Sequence, residues 1–252
     1  MPATRFAATV SYDGTAFVGS QIQPNGRTVQ AELEAAAGAL FGAPVRVALA
    51  GRTDSGVHAV GQVAALTAET RLDAATVGRA LNAHLPEDVA VRHVRPVPED
   101  FDPRRWARRR WYRYTVWNGE TRAPLMRERA WFVEGDLDVG AMGRGADALL
   151  GRRDFLACSG QLEEGRTSVR TVLKAGWRRE GCALLFDIEA DAFLPQMVRR
   201  LTGALVRIGR KPLELEEFVR LLEQADAGTI GPTAPAHGLC LQRVEYDEGY
   251  SV

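Results

Sequence analysis

The order of strand and helix patterns along the chain limits its possible folds more than any other feature. Residues 5–12 and 89–97 have the apolar pattern of strands. Between them lie two amphipathic helical patterns, which Thr28 and Asp73 are predicted to cap. The helical patterns are separated by a pair of short apolar runs that predict two strands. The N-terminal part therefore has the order strand–helix–strand–strand–helix–strand.

The rest of the chain repeats this order. Residues 111–117 predict a strand, Asp136 is predicted to cap a helix, and residues 168–177 and 182–188 predict a hairpin. A long amphipathic helix around Met197, a further helix over 215–222 and a closing strand over 239–246 follow.

We therefore predict an α+β fold of two tandem βαββαβ domains, which is a ferredoxin-like or RRM-like plan. The predicted domains are residues 1–103 and 104–252, with the boundary in the segment 98–103. Two tandem copies of one architecture usually leave a cleft between them, a kind of place that ligands favour.

Composition narrows the functional classes. The formal net charge is zero, which argues against a uniformly basic nucleic-acid binder. Only Lys174 and Lys211 are lysines, so almost all cations are arginines, which suit forked contacts to phosphate. No apolar run is long enough to cross a membrane, and the three cysteines lack metal-ligand spacing. We expect a cytoplasmic protein without a membrane span, a structural zinc or a disulfide framework.

The loop at 50–58, Ala-Gly-Arg-Thr-Asp-Ser-Gly-Val-His, is the stretch best suited to chemistry. It is predicted to connect two strands, and it holds Asp54 between Gly51 and Gly56, residues that tolerate unusual backbone conformations. Arg52 lies two residues before the carboxylate, so one loop can supply both charges. The alternative is that Asp-Ser-Gly forms an ordinary turn and that Arg52 is solvated.

A second candidate region is the arginine-aromatic stretch at 104–114, in which four aromatic residues are interspersed among six arginines. Guanidinium groups neutralise phosphates, and aromatic rings stack on unpaired bases at about 1–3 kcal/mol per base. The pattern favours RNA binding over a solvated charged face. On the predicted strand, Tyr112, Tyr114 and Val116 share one face.

The third candidate is Arg199, on the predicted helix that follows Pro195. It lies at the edge of the apolar stripe, where an arginine often pairs with a carboxylate, although a solvent-facing side chain fits the pattern as well. Pro195 is expected in the first turn of that helix, where its missing N–H is harmless.

The sequence as a whole resembles a known family. The loop at 50–58, followed by Gly61-Gln62-Val63, is similar to the signature of the tRNA pseudouridine synthase A (TruA) family. The resemblance covers essentially the whole chain, and further motifs match in order: Tyr12-Asp13-Gly14-Thr15, Asn82 with Leu85-Pro86, Tyr112-Arg113-Tyr114, Phe193-Leu194 with Met197-Val198-Arg199, and Gly238-Leu239.

The resemblance implies a role for each matching residue. Asp54 matches the catalytic aspartate, Tyr112 the tyrosine that packs against the target base, Arg199 the arginine that pairs with the aspartate, and Arg52 the basic residue of the loop. It also implies that the two domains are joined into one antiparallel sheet with a central cleft between them. The reaction it implies is isomerisation of uridine to pseudouridine at positions 38 to 40, in the anticodon arm of tRNA, by a homodimer without a cofactor or metal. Arg108, Arg109 and Arg110 are the predicted tRNA-binding residues of the arginine-aromatic stretch.

Three positions depart from the family pattern. Ser20 stands where tryptophan is common, and Pro195-Gln196 replaces an aromatic or polar residue and a histidine. The catalytic loop itself is intact. The departures therefore bear on tRNA contacts or on packing and not on the reaction.

The expected chemistry agrees with these residues. The reaction breaks the N1–C1′ bond, rotates the uracil and rejoins it through C5, so it needs no redox or nucleotide cofactor. It needs an ionised carboxylate, and a nearby arginine lowers the pKa of a carboxylate by roughly one to three units. Two alternatives stay open: a tandem RNA-binding module without catalysis, and a metal-dependent nuclease using Asp54, Asp13 and His58.

Overall fold

The computed structural model describes residues 3–160, 165, 167–211, 215–223 and 226–247. Ten strands are present in this part of the chain: β1 (Ala3–Tyr12), β2 (Val47–Leu49), β3 (His58–Glu69), β4 (Val89–Pro96), β5 (Arg109–Trp117), β6 (Trp131–Phe132), β7 (Gly151–Asp154), β8 (Val169–Glu180), β9 (Ala183–Ala190) and β10 (Leu239–Glu245). The α-helices are α1 (Val29–Phe41), α2 (Ala74–His84), α3 (Val139–Asp147), α4 (Met197–Arg210) and α5 (Leu215–Leu222).

The chain forms two compact units. Unit 1 comprises Met1–Arg108 and Cys240–Val252, and unit 2 comprises Arg109–Leu239. The predicted domains, 1–103 and 104–252, differ from these units chiefly at the C-terminus. The reason is that β10 pairs in parallel with β3 through Cys240 and His58, so the last strand belongs with the first unit.

Unit 1 contains the sheet run β4-β1-β3-β10, with β2 paired antiparallel to β3. Helix α1 begins where the Thr28 side chain accepts a hydrogen bond from the Ala31 N–H, and α2 begins where Asp73 accepts one from Thr76. Both predicted caps are confirmed. The β-α-β-β-α-β order predicted for the N-terminal part is also confirmed.

Unit 2 contains the sheet run β5-β9-β8-β7, and its β8–β9 hairpin confirms the predicted one. Two details of the prediction are wrong. Helix α3 is capped by Asp138, which accepts from the Ala141 N–H, and not by Asp136. Helix α4 begins only at Met197, because Gln196 before it has a positive φ of 60°, so Pro195 precedes the helix.

The α+β class is confirmed, and each unit contains one parallel pair of strands among antiparallel ones. Most neighbours are antiparallel as predicted, but β10 runs parallel to β3, and β6 runs parallel to β5. A parallel neighbour requires a crossover connection between the two strands. Both of these partners are reached through such long connections. Within the described ranges, no helix is long and apolar enough to cross a membrane.

Candidate active site

The Asp54 loop lies between β2 and β3, as predicted, and its first residues are tied to β3. The Ala50 N–H donates to the Val63 carbonyl at 2.8 Å. The side-chain amide of Gln62, which is fully buried, donates to the Gly51 carbonyl at 2.9 Å. Because an unpaired buried amide would cost free energy, this contact fixes the start of the loop.

Thr53, the residue before Asp54, is held by three hydrogen bonds. Its N–H donates to the Ser20 Oγ at 2.9 Å, and its carbonyl accepts from the Ser20 N–H at 3.1 Å. Its Oγ1 lies 2.8 Å from the hydroxyl of Tyr12. Burial raises the pKa of Tyr12 to about 12, so this hydroxyl keeps its proton at neutral pH. The backbone that carries Asp54 is therefore rigidly anchored on its N-terminal side.

The residues after Asp54 are anchored to one carbonyl. The Ser55 hydroxyl and the Gly56 N–H both donate to the carbonyl of Phe17, at 3.2 and 3.3 Å. Gly56 has a φ of 78°, so this turn needs glycine, as the sequence suggested. Gly51 has no positive φ and has open space where a Cβ would stand, so only one of the two flanking glycines is required by the backbone.

Phe17 is itself held in place by Arg27. The guanidinium carbon of Arg27 lies 4.3 Å above the Phe17 ring, a cation–π arrangement. The same guanidinium donates to both carboxylate oxygens of Asp88, at 2.6 and 2.9 Å, and to Glu32 at 2.5 Å. This ionic cluster therefore stabilises the position of Phe17, whose carbonyl binds the second half of the Asp54 loop.

His58 closes the loop and is almost completely buried. Its Nδ1 accepts the Gly14 N–H at 2.9 Å and lies 3.2 Å from Asp13 Oδ1. Nδ1 therefore acts as a hydrogen-bond acceptor towards the main chain of Gly14. Asp13 also accepts from the N–H and hydroxyl of Thr15, at 3.1 and 2.6 Å. His58 thus joins the end of the loop to the turn at 13–15.

Within the loop, Asp54 is half-buried and Arg52 is exposed. The main chain of Asp54 forms a bridge with Gly19, and its carbonyl accepts from the Val57 N–H at 3.2 Å. No group of three or more His, Cys, Asp or Glu side chains that could hold a metal ion occurs in the described ranges. The nuclease alternative, which needs Asp54, Asp13 and His58 as ligands, therefore gains no support from this geometry.

The other predicted site residues fall mostly in unit 2. Tyr112, Tyr114 and Val116 are buried on one face of β5, which confirms the predicted alternation. The Tyr114 hydroxyl donates to the Pro235 carbonyl at 2.7 Å, and burial raises its pKa. Tyr112 retains a small exposed fraction, and its ring meets Phe193 edge-on at 5.1 Å. Tyr112 is therefore the tyrosine of the pair with access to solvent.

Three arginines of the arginine-aromatic stretch have different surroundings. Arg108 belongs to unit 1, where it forms a two-pronged ion pair with Asp247 at 2.7 and 2.9 Å that raises its pKa. Arg109 is exposed, and Arg110 donates to the Asp191 carbonyl at 2.6 Å. A phosphate that binds Arg108 must therefore compete with Asp247.

Arg199 lies in the first turn of α4. Its Nε donates to the Ala234 carbonyl at 2.9 Å, and its own carbonyl accepts from the Ala234 N–H at 3.1 Å. The buried face of α4 is formed by other residues, including Met197 and Leu201, so Arg199 is at the edge of that face, as predicted.

Several residues that position the loop were not predicted from the sequence, namely Gln62, Ser20 and Arg27. Gln62 offered a usable signal, since it is a polar residue within an apolar strand pattern. Ser20 and Arg27 gave no such signal, because their partners lie far away in the sequence. Gln196, another of the three departures from the family pattern, accepts a hydrogen bond from Arg200 at 3.2 Å and precedes α4.

Asp54 therefore lies on an anchored loop between two strands, two residues after Arg52. Comparison with known proteins identifies the class of protein to which this loop belongs. A family described as tRNA pseudouridine synthase matches residues 8–104 and 146–247. Proteins named tRNA pseudouridine synthase A include one from Myxococcus xanthus, 44% identical over 97% of this chain and 93% of its own length. One from Roseiflexus castenholzii is 44% identical over 96% of this chain and 90% of its own length.

A third relative of the same name, from Moorella thermoacetica, is 41% identical over 94% of this chain and 98% of its own length. The chain belongs to the tRNA pseudouridine synthase family, as the sequence motifs indicated. It is therefore an isomerase, and the predicted enzyme class is confirmed.

Proposed function

We propose that this protein isomerises uridine to pseudouridine at positions 38 to 40, in the anticodon arm of tRNA, with Asp54 as the catalytic residue. The observation that supports this most directly is the anchoring of the Asp54 loop. Hydrogen bonds to Tyr12, Ser20, Gln62 and Phe17 hold the loop on both sides of the carboxylate. Such preorganisation is what a catalytic group requires and what an ordinary surface turn does not.

The chemistry assigns Asp54 a charge-dependent step. The glycosidic bond between N1 and C1′ breaks, C5 bonds to C1′, the proton on C5 is lost and N1 gains a proton, so the product is an isomer. An ionised carboxylate can attack C1′, attack C6 of the uracil, or act as the base. All three routes need the negative charge of Asp54.

The remaining residues have binding roles in this proposal. The target base must leave its stack, at a cost of a few kcal/mol, and stacking on Tyr112 offsets part of that cost. Arg52 and Arg199 bind the substrate near the reacting nucleotide, and Arg109 and Arg110, with Arg108, bind the tRNA backbone. We further propose that the protein acts as a homodimer in the cytoplasm and without a cofactor.

The test is to incubate the protein with unmodified tRNA in excess chelator and to map pseudouridine by carbodiimide-dependent primer extension. We expect product at one or more of positions 38 to 40. Binding without any product would favour the non-catalytic RNA-binding module. Product only outside the anticodon arm would overturn the assigned site.

Two substitutions separate the contribution of the Tyr112 ring from that of its hydroxyl. Tyr112→Phe keeps the ring and removes the hydroxyl, and we expect a modest loss of single-turnover rate. Tyr112→Ala also removes the stacking surface, and we expect a loss of roughly 5- to 150-fold, from about 1–3 kcal/mol of stacking. If the hydroxyl moves a proton, both variants fail in the chemical step while still binding tRNA. Equal and near-normal rates for both would remove Tyr112 from the site.

A further inference from the structure

A small hollow lies beside the Asp54 loop in unit 1. Its volume is about 120 Å³, and its lining includes Arg52 of the loop, Ser20, Gln21, Gln30, Ala48 and Arg104. All of these residues belong to unit 1. The hollow therefore adjoins the loop that carries the proposed catalytic carboxylate.

The wall and floor of the hollow are rigid. The Gln30 side chain accepts from the Ile22 N–H at 3.1 Å and donates to the Val47 carbonyl at 3.0 Å. Ser20 is buried, and its Oγ accepts the Thr53 N–H, while the hydroxyl proton can still be donated.

The charged members of the lining are both arginines, Arg52 and Arg104, and both are exposed. The backbone at Arg104 is fixed, because its N–H donates to Asp102 Oδ1 at 2.8 Å. Guanidinium groups bind phosphate through two parallel N–H bonds, and they do so more strongly than neutral donors. The chemistry of the lining therefore suits a phosphate.

The size of the hollow indicates which kind of phosphate it takes. Its volume of about 120 Å³ is well below that of pockets for free small molecules, which span about 300–1,000 Å³. A group belonging to a larger polymer fits better than a complete metabolite. We infer that Arg52, Arg104 and Ser20 bind a backbone phosphodiester of the RNA strand adjacent to the target uridine. This inference rests on the proposed function.

The first test compares two charge-removing variants. Arg104→Gln takes away one guanidinium of the hollow. Arg46→Gln is the control, because Arg46 precedes β2, has a side chain 89% exposed and lies outside the lining. Binding of an anticodon stem-loop RNA is measured over a range of salt concentrations. We expect Arg104→Gln to bind several-fold more weakly and to lower the salt slope by about one unit, with no change of slope for Arg46→Gln.

A second pair of variants changes the hollow without touching an arginine. Ala48 is exposed and lines the hollow, so Ala48→Glu places a carboxylate there and Ala48→Gln a neutral side chain of similar size. We expect the glutamate variant to bind RNA clearly more weakly than the glutamine variant, since like charges repel. Equal affinities of these two variants would count against a phosphate in the hollow.

The phosphate itself can be located with RNAs that carry one neutral methylphosphonate linkage at a time around the target uridine. At one linkage, we expect wild-type binding to weaken and Arg104→Gln to show no further loss. The inference is wrong if the loss from Arg104→Gln adds to the loss from the methylphosphonate at every linkage. It is also wrong if Arg104→Gln and Arg46→Gln have identical salt slopes. Either result leaves the proposed function standing as long as the wild-type protein still isomerises uridine. If wild-type protein forms no pseudouridine in this RNA or in tRNA, the proposed function fails and the inference fails with it.

Discussion

Replacing Asp54 with asparagine is expected to lower the single-turnover rate of pseudouridine formation by at least about 1,000-fold, while tRNA affinity stays within a few-fold. The amide preserves the size and polarity of the side chain and removes its negative charge. Attack on C1′, attack on C6 and general-base action all need that charge. The measurement is single-turnover conversion at saturating enzyme, with tRNA binding determined separately.

Folding of the Asp54→Asn variant is expected to be normal. The bridge with Gly19 and the contact with the Val57 N–H are made by the main chain of Asp54, which the substitution leaves in place. The matched control is Asp136→Asn, at an exposed position in unit 2, which should keep the wild-type rate. A variant at position 54 that retains more than a few per cent of the rate would show that another group performs the chemistry.

The order of elements was predictable because it is a local property of the sequence. Apolar residues recur with the period of a strand or a helix, and Thr28 and Asp73 precede helical patterns directly, so both caps were found. The cap of α3 was missed because Asp136 and Asp138 both precede the pattern, and only the structure shows which carboxylate reaches the Ala141 N–H.

The pairing of β10 with β3 was not predictable, because the pattern of a strand does not contain the identity of its neighbour. The assignment of residues 240–252 to unit 1 follows from this pairing alone. The predicted end of the second domain therefore differs from the structure, although the strand itself was placed correctly.

For the candidate site too, the local features were predictable and the long-range contacts were not. The position of Asp54 on a loop between two strands follows from two short apolar runs, which are local signals. The contacts that hold the loop are long-range. Ser20 and Thr53 are 33 residues apart, and Arg27 and Asp88 are 61 apart. No periodicity reports such pairs, so the sequence indicated the proposed catalytic residue, and only the structure shows the contacts that anchor its loop.

Gly14 links the turn at 13–15 to the Asp54 loop by a close approach of two backbones. A Cβ at position 14 would lie 2.1 Å from the Val57 carbonyl oxygen and 2.5 Å from the Val57 carbonyl carbon. Both atoms belong to the backbone, so neither can move aside by changing a rotamer. The N–H of Gly14 also donates to His58 Nδ1 at 2.9 Å. Glycine at this position therefore allows the loop and the turn to touch.

Gly14→Ala is accordingly expected to push the end of the Asp54 loop away by roughly 1 Å, since real Cβ contacts shorter than 3.0 Å essentially do not occur. Misplacing a catalytic group by about 1 Å can cost about 100-fold in rate, and overpacking typically costs about 1–3 kcal/mol of stability. We expect losses of that size in the single-turnover rate and in the free energy of unfolding, with tRNA affinity less affected.

The matched control for Gly14→Ala is Gly143→Ala, in helix α3. A Cβ at position 143 would meet no atom within 4 Å, and alanine favours a helix over glycine by about 0.5–1 kcal/mol. We therefore expect this control to keep the wild-type rate and to be slightly more stable. The rate is measured well below each melting temperature, so that unfolded protein does not contribute to the loss. If Gly14→Ala converts uridine at more than half of the wild-type rate, the turn at 13–15 does not position the Asp54 loop.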